Sequence, residues 1–293
     1  MTGVRRAAEP LRLVSEAKVA DLLAGAAASS LEPSGVCVHD SACFVIFDDS
    51  SAIACIEDVT TRSPGNRLLP ESVGGPALDV EDIAFDPVSG HFFVLVEAVE
   101  HRGRLYGEVW EHEVDGTPVG HALLDLVLET SNKGLEGLSC LVRGGEALLL
   151  GLCEGNRCKG GEEGKRPGGG RIHVFRRGKA RWKMAATIRL PKEVDFVDYA
   201  SVAVSGDRIA VVSQSSRRLW IGTLDADRFT VASGTIYDFP RDDDGHEVYR
   251  NVEGVSWLSE DRLVMVSDRA EEDEGRAKER SLHVFALPAE AGA

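Results

Sequence analysis

A nine-residue segment, Asn132-Lys133-Gly134-Leu135-Glu136-Gly137-Leu138-Ser139-Cys140, returns in near copy as Tyr249-Arg250-Asn251-Val252-Glu253-Gly254-Val255-Ser256-Trp257. Each copy runs through a polar turn into a second apolar stretch that ends in polar residues, Leu148 to Glu154 in one case and Leu263 to Asp268 in the other. A Glu-Gly pair opening a short apolar strand, followed by a turn and a β-rich strand, reads as the inner hairpin of a propeller blade. Internal repetition of this kind constrains the fold more than any local propensity does.

Aligning the residues that open each inner strand gives five starts: Ser34-Gly-Val-Cys, Glu81-Asp-Ile-Ala, Glu136-Gly-Leu-Ser, Ala200-Ser-Val-Ala and Glu253-Gly-Val-Ser. Their apolar anchors, Val36, Ile83, Leu138, Val202 and Val255, recur about every 55 residues, the length of a four-stranded blade. Second strands follow at Phe44–Phe47, Phe92–Val96, Ala147–Leu150, Ile209–Val212 and Leu263–Val266, and third strands at Ala52–Ile56, Glu108–His112, Arg171–Phe175, Leu219–Ile221 and Ser281–Phe285. These runs are too short for helices and rich in β-branched and aromatic residues. The expectation is an all-β, five-bladed β-propeller in one domain, six being the alternative count, with blades at 31–70, 79–125, 134–190, 198–240 and 251–288. Leu11–Val14 would complete the last blade from the N-terminal side and remove a free sheet edge. Ser15–Ala28 reads as a short helix, and the inserts Lys159–Gly170 and Ala270–Arg280 as charged loops without apolar anchors.

Composition bounds the partners. Against 33 basic residues stand 48 acidic ones, a net charge of −15. That balance repels phosphate backbones and anionic lipid, so neither nucleic acid nor a membrane surface is an expected partner. No window is long and apolar enough to span a bilayer and no h-region follows the first residues, which leads to a cytoplasmic expectation. The six cysteines contain no CxxC pair. Cys37, Cys43, Cys55 and Cys140 lie in or beside apolar strands and read as buried thiols, whereas Cys153 and Cys158 flank a segment that could fold back on itself.

Strand one begins and strand two ends at the same end of an antiparallel hairpin, so one face of the ring should collect polar residues from several blades. Strand starts supply Glu81, Asp82, Glu136 and Glu253, with Asp198 and Tyr199. Strand ends supply Asp48, Asp49, Glu97, Glu154, Asn156, Gln214, Asp268 and Arg269, and Lys133, Arg250 and Asn251 precede the motifs. Converging carboxylates repel one another unless protons or a cation neutralise them. Oxygen ligands of this kind suit calcium better than zinc. Glu81, Glu136 and Glu253 are therefore the expected metal ligands, Glu154 or Asp268 the base toward water, and Lys133 or Arg269 the cation facing developing negative charge. His173 and His283 match each other in third strands and read as repeat packing. Asp242, Asp243 and Asp244 with Gly245 read as a solvated turn. No histidine-centred triad emerges from spacing.

The paired Glu-Gly starts, each followed by a hairpin ending in Glu154 or Asp268, resemble the phytase-like, or esterase-like, β-propeller family and more distantly the five-bladed calcium-dependent nucleotidases. Val252-Glu253-Gly254 is similar to their Tyr-Glu-Gly segment. The resemblance implies axial metal ligation by Glu136 and Glu253, with Glu154 and Asp268 facing the same pocket. Few basic residues stand near the mouth to hold a polyphosphate, so the expected substrate is a small ester, lactone or phosphoester. A non-catalytic propeller that binds a ligand or protein partner is the alternative reading, and a non-hydrolytic biosynthetic enzyme is a third.

Overall fold

The computed structural model describes residues 3–23, 31–69, 79–131, 133–269 and 277–288. Two strands, β1 (Val4–Arg6) and β2 (Arg12–Lys18), and a one-turn helix, α1 (Val19–Leu22), precede a repeated four-strand meander. Its first copy is β3 (Pro33–His39), β4 (Ala42–Phe47), β5 (Ser50–Ile56) and β6 (Arg67–Leu68). Next come β7 (Val80–Asp86), β8 (His91–His101), β9 (Arg104–His112) and β10 (Pro118–Leu128). A third copy comprises β11 (Leu135–Arg143), β12 (Glu146–Cys153), β13 (Arg171–Arg177) and β14 (Trp182–Arg189), with the one-turn helix α2 (Gly161–Gly164) between β12 and β13. The fourth is β15 (Ser201–Ser205), β16 (Arg208–Ser213), β17 (Arg218–Asp225) and β18 (Thr230–Asp238). The last has β19 (Val252–Trp257), β20 (Arg262–Ser267) and β21 (Ser281–Ala286).

The last unit is completed from the other end of the chain. β2 pairs antiparallel with β21 from Arg12↔Ala286 to Lys18↔Ser281, which covers an edge that would otherwise stay open. β1 adds in parallel to the outer strand β18. A single parallel pairing, Leu124↔Trp182, joins the outer strands β10 and β14, so the second and third meanders form one eight-stranded sheet.

The innermost strands β3, β7, β11, β15 and β19 each contact the next, and β19 contacts β3, closing a ring. Between neighbouring meanders lies a separate buried cluster, and the last of these, around Val36, Val45, Val264 and Val284, joins the end of the chain to its beginning. Strands second from the axis are covered on both faces: Phe44–Phe47, Leu148–Leu150 and Leu263–Val266 are buried throughout. Their continuous apolar runs follow from burial on both faces, where a half-exposed strand would alternate. Tight turns set the register. At Gly144-Gly145, φ of 59° and 80° closes a two-residue hairpin between Arg143 and Glu146, a conformation open to glycine.

Two expectations fail for identifiable reasons. Ser15–Lys18 is strand rather than helix, because β21 offers it a ladder of backbone partners and tertiary pairing outweighs local helix propensity. Only Val19–Leu22 is helical, and residues 24–28 lie outside the described residues. Lys159–Gly170, expected as a free loop, is packed down: the buried Asn156 amide donates to the carbonyls of Gly164, Phe196 and Val197 and accepts from Gly169 N–H. A Cys153–Cys158 disulfide ties the base of this segment. Such a bond fits poorly with the cytoplasmic expectation, since reducing compartments keep thiols open. Among the described residues no helix is long and apolar enough to cross a membrane. Most of the other insert, residues 270–276, lies outside the described residues.

Candidate functional site

The axis narrows to a waist built from one residue of each inner strand: Gly35, Asp82, Gly137, Ser201 and Gly254. Asp82 is 1% exposed. Its carboxyl accepts hydrogen bonds from Ile83 N–H at 2.9 Å, Leu138 N–H at 2.9 Å and the Ser201 hydroxyl at 2.8 Å, so it stitches three inner strands together. Gly35 lies against it so closely that an added Cβ would sit 2.7 Å from the Asp82 Cα. Asp82, expected in the mouth, is thus the plug beneath it. Burial pushes its carboxyl well above the usual range.

One step above the waist the ring reads Ser34, Glu81, Glu136, Ala200 and Glu253. At Ser34, Glu136 and Glu253 the inner strand holds one extra residue against its partner: Leu135 and Gly137 face the adjacent residues Cys153 and Leu152, and the same slip occurs across Pro33/Gly35 and Val252/Gly254. A slip also falls between Val80 and Ile83, at Glu81 and Asp82. β-Bulges re-aim side chains, and here they take the glutamates out of the strand alternation and turn them toward the axis.

The Glu81 and Glu136 carboxyls stand close enough to act on each other, and a proton held by one relieves the repulsion between them. Burial first, and then the surrounding carboxylates, push Glu81, Glu136 and Glu253 well above the ordinary carboxylate range. Glu253 accepts from the Gln214 amide at 3.0 Å. Around this inner layer stand further carboxylates from the strand ends. Glu97, 3% exposed, accepts from Gly134 N–H at 2.8 Å and is raised to about 7 by burial and by Asp79 and Glu154. Asp48 is raised to about 7 and Asp268 to about 6, each chiefly by burial, with Glu32 among the neighbouring charges.

These groups form ligand-ready sets. Oxygens of Glu97, Glu136 and Glu154 lie within 4.8 Å of one another, as do those of Asp79, Glu81 and Glu97, and those of Glu32, Asp48 and Asp268. One buried oxygen on each of Glu154, Asp48 and Asp268, and the buried Ser34 hydroxyl, find no hydrogen-bond partner among the described residues. Buried polar atoms are ordinarily satisfied, so orphaned oxygens turned to one axial mouth are what a cation site provides before it is filled. The donor set is all oxygen, which fits a hard divalent ion.

Cations are scarce here. Lys133 pairs with Glu154, and Arg280 pairs with Glu32 at 2.7 Å. Arg269 is exposed, and what it offers the neighbourhood is its carbonyl, which accepts from Asn251. Asp198 stands at the rim, capping Ser213 and Ser215. Asn156 and Tyr199 leave the expected face, since the Tyr199 hydroxyl donates to the side-chain amide oxygen of Asn156 at 3.0 Å inside the protein. Glu32, Asp79 and Arg280 are additional. Glu32 and Asp79 each stand two residues before a ring position, Ser34 and Glu81, a spacing readable from the repeat alignment.

A serine, histidine and glutamate also meet away from the axis. Ser267 Oγ lies 2.9 Å from His283 Nε2, and His283 Nδ1 lies 3.5 Å from Glu16 Oε2. Ser267 donates its own proton to the Lys278 carbonyl, so the histidine must donate to Ser267 and cannot act as its base. With Ser267 and His283 buried, the row locks β2 onto the last unit.

No protein-family model matches the chain, and neither does any curated protein. Solved structures do resemble it. A GH43 enzyme from Xanthomonas citri complexed with xylotriose is 12% identical over 96% of this chain and 92% of its own, with a TM-score of 0.56. Myxococcus xanthus glutaminyl cyclase is 12% identical over 96% of this chain and 100% of its own, at a TM-score of 0.53. The PQQ-bound aldose sugar dehydrogenase of Streptomyces coelicolor is 12% identical over 93% and 98%, at 0.51. At such identities the likeness concerns the fold, and it makes this chain a β-propeller.

Proposed function

We propose that the chain is a five-bladed propeller hydrolase that binds a divalent cation, calcium by its ligand chemistry, in the acidic axial mouth and cleaves a small ester, lactone or phosphoester there. The observation that carries this reading is the convergence of carboxylates from separate blades with orphaned, buried oxygens among them. Hydrolase function is in keeping with the phytase-like resemblance and with the presence of glycosidases among the structural neighbours.

Glu136, with Glu97 and Glu154 beside it, would hold the ion, and Glu81 and Glu253 would complete the charge around it. A bound cation would polarise a carbonyl or phosphoryl oxygen and supply the counter-charge that the mouth lacks. Asp268, raised to about 6, can take a proton from water near neutral pH, which suits a general base. Lys133, held next to Glu154, can face developing negative charge.

The test is calorimetric titration of chelator-treated protein with calcium, on the wild type and on a Glu136→Gln/Glu253→Gln variant, followed by an esterase and phosphatase screen. Saturable binding lost in the variant, together with calcium-dependent turnover, supports the reading. Binding without turnover leaves a ligand- or protein-binding propeller, and no binding returns the glutamates to a structural role at the strand ends.

A further inference from the structure

On the face that carries the mouth, but away from the axis, the start of β17 and the end of β18 meet the connection that leads into β19. Here the chain is locally basic in spite of its net charge of −15. Arg217 precedes β17 and Arg218 opens it, Arg241 follows β18, and Arg6 ends β1, which lies along β18. Together they line a cavity of about 280 Å³. Phe239 and Tyr249, both buried, give it an apolar side.

The acceptors in the cavity do not exhaust its donors. Glu247 bridges two guanidinium groups, one oxygen to Arg217 and the other to Arg241 at 2.7 Å. Arg241 spends one further N–H on the Gly245 carbonyl, and Arg218 is shared between Asp238 at 3.1 Å and Asp195 at 3.5 Å. Each guanidinium carries five N–H donors, so most remain unspent among the described residues. Arg6 is exposed and makes no side-chain bond among the described residues. Facing the cavity are four arginines against the carboxylates Glu247 and Asp238. The physical complement of a surplus of planar donors beside an apolar wall is an oxyanion attached to a small organic body.

We propose that this rim pocket is a second binding site, for a small molecule carrying a carboxylate or phosphate group, held by Arg217 and Arg241 with Arg218 and Arg6 beside them. It does not depend on a cation in the mouth. Glu247 acts as an internal competitor that keeps the two guanidinium groups apart and ordered until the ligand arrives.

The experiment is calorimetric titration with inorganic phosphate and, separately, with succinate, in chelator, at low ionic strength. Saturable binding with a Kd of about 1 mM or tighter is expected for at least one probe. Arg217→Gln/Arg241→Gln should weaken it at least about tenfold, the loss of one charge-assisted contact. That variant removes the ties to Glu247, so Arg6→Gln is the control that leaves the fold's bonds intact, and it should weaken binding about threefold with an unchanged Tm. Glu247→Gln should tighten binding, and Glu136→Gln should leave it unchanged. Preference for phosphate or for succinate identifies the tetrahedral or planar anion. Absence of saturable binding to either probe, or a Kd that neither arginine variant moves, overturns the proposal.

Discussion

Removing a carboxylate from the mouth should stabilise the cation-free protein. Asp48→Asn is the sharpest case, because one Asp48 oxygen is buried without a partner and an amide placed there breaks no hydrogen bond. In the folded protein the group is raised from 3.8 to about 7, by burial and by the charges of Asp268 and Glu32. A folded pKa above the unfolded one means that the native state favours the proton. Its contribution is therefore whole below about pH 4 and is lost as pH climbs toward 7. Three units at about 1.36 kcal/mol each set a ceiling of roughly 4 kcal/mol, and solvent reaching the half-buried side chain brings this to about 2. In chelator at pH 8, Asp48→Asn should gain about 2 kcal/mol, or about 5 °C in Tm, while at pH 4 the two proteins should agree. Saturating calcium, held at Glu136, Glu97 and Glu154, should add about 2.7 kcal/mol at about a hundredfold excess over Kd to both proteins and leave their order at pH 8 unchanged. Denaturant melts at both pH values, with and without calcium, read all four quantities. If the variant is less stable than wild type in chelator at pH 8, or keeps the same slope between pH 4 and 8, the mouth is not the site of electrostatic strain described above.

The same protons should appear in solution when an ion binds. With Glu97 and Asp48 at about 7 and Asp268 at about 6, calcium added at pH 6.5 should release at least about one proton per site, and fewer at pH 9; a pH-indicator titration showing no release at pH 6.5 would count against a carboxylate site. Glu16 carries the opposite sign: His283 and Lys278 hold it down, to about 2, so its contribution is present above its unfolded value of 4.5 and fades as pH falls toward 2. Glu16→Gln should cost about 1 kcal/mol at pH 7 and flatten the acid limb of the stability curve, and an acid limb identical to wild type would detach Glu16 from the closure of the ring. Gly35→Ala should cost about 3 kcal/mol, because its Cβ would meet the Asp82 Cα at 2.7 Å, whereas Gly120→Ala, with nothing within 4 Å, should stay within about 0.5 kcal/mol; equal urea midpoints for the two would remove the waist as a packing constraint.

Much of the architecture was legible because repetition is a long-range signal. Leu148–Leu152 alone is consistent with a buried strand or part of a helix, but its recurrence at matching offsets as Ile209–Val212 and Leu263–Val266 selects the strand. Ser15–Lys18 misleads for the converse reason: its composition suits a helix, and its partner β21 lies at the far end of the chain, where no local window reaches it. Position along the strands places Asn156 and Tyr199 in the mouth, yet each side chain turns inward to hold the 156–170 segment, a choice fixed by hydrogen bonds that the repeat does not encode. Arg217 and Arg241 carry no such signal in the sequence, because the pocket they share is assembled from different strands and closed by the β1 segment.

The Glu-Gly pair, read first as a repeat marker, has two separable physical duties. The glycine is needed at the waist, where Gly254 packs against the backbone of Gly35 and Gly137 against that of Ser201, so that Asp82 and Ser201 can fill the axis. The glutamate before it sits at a bulge, free of the strand's alternation, and so points along the axis into the mouth. Sealing the channel and aiming the carboxylates are thus consequences of one local device. Where the bulge is absent, at β15, the ring position is Ala200 and no carboxylate is presented. In that blade Gln214 reaches across to Glu253 instead, contributing a neutral amide to a layer already crowded with negative charge. The unequal ring of Ser34, Glu81, Glu136, Ala200 and Glu253 thus follows from which blades keep the bulge and which residue each places there.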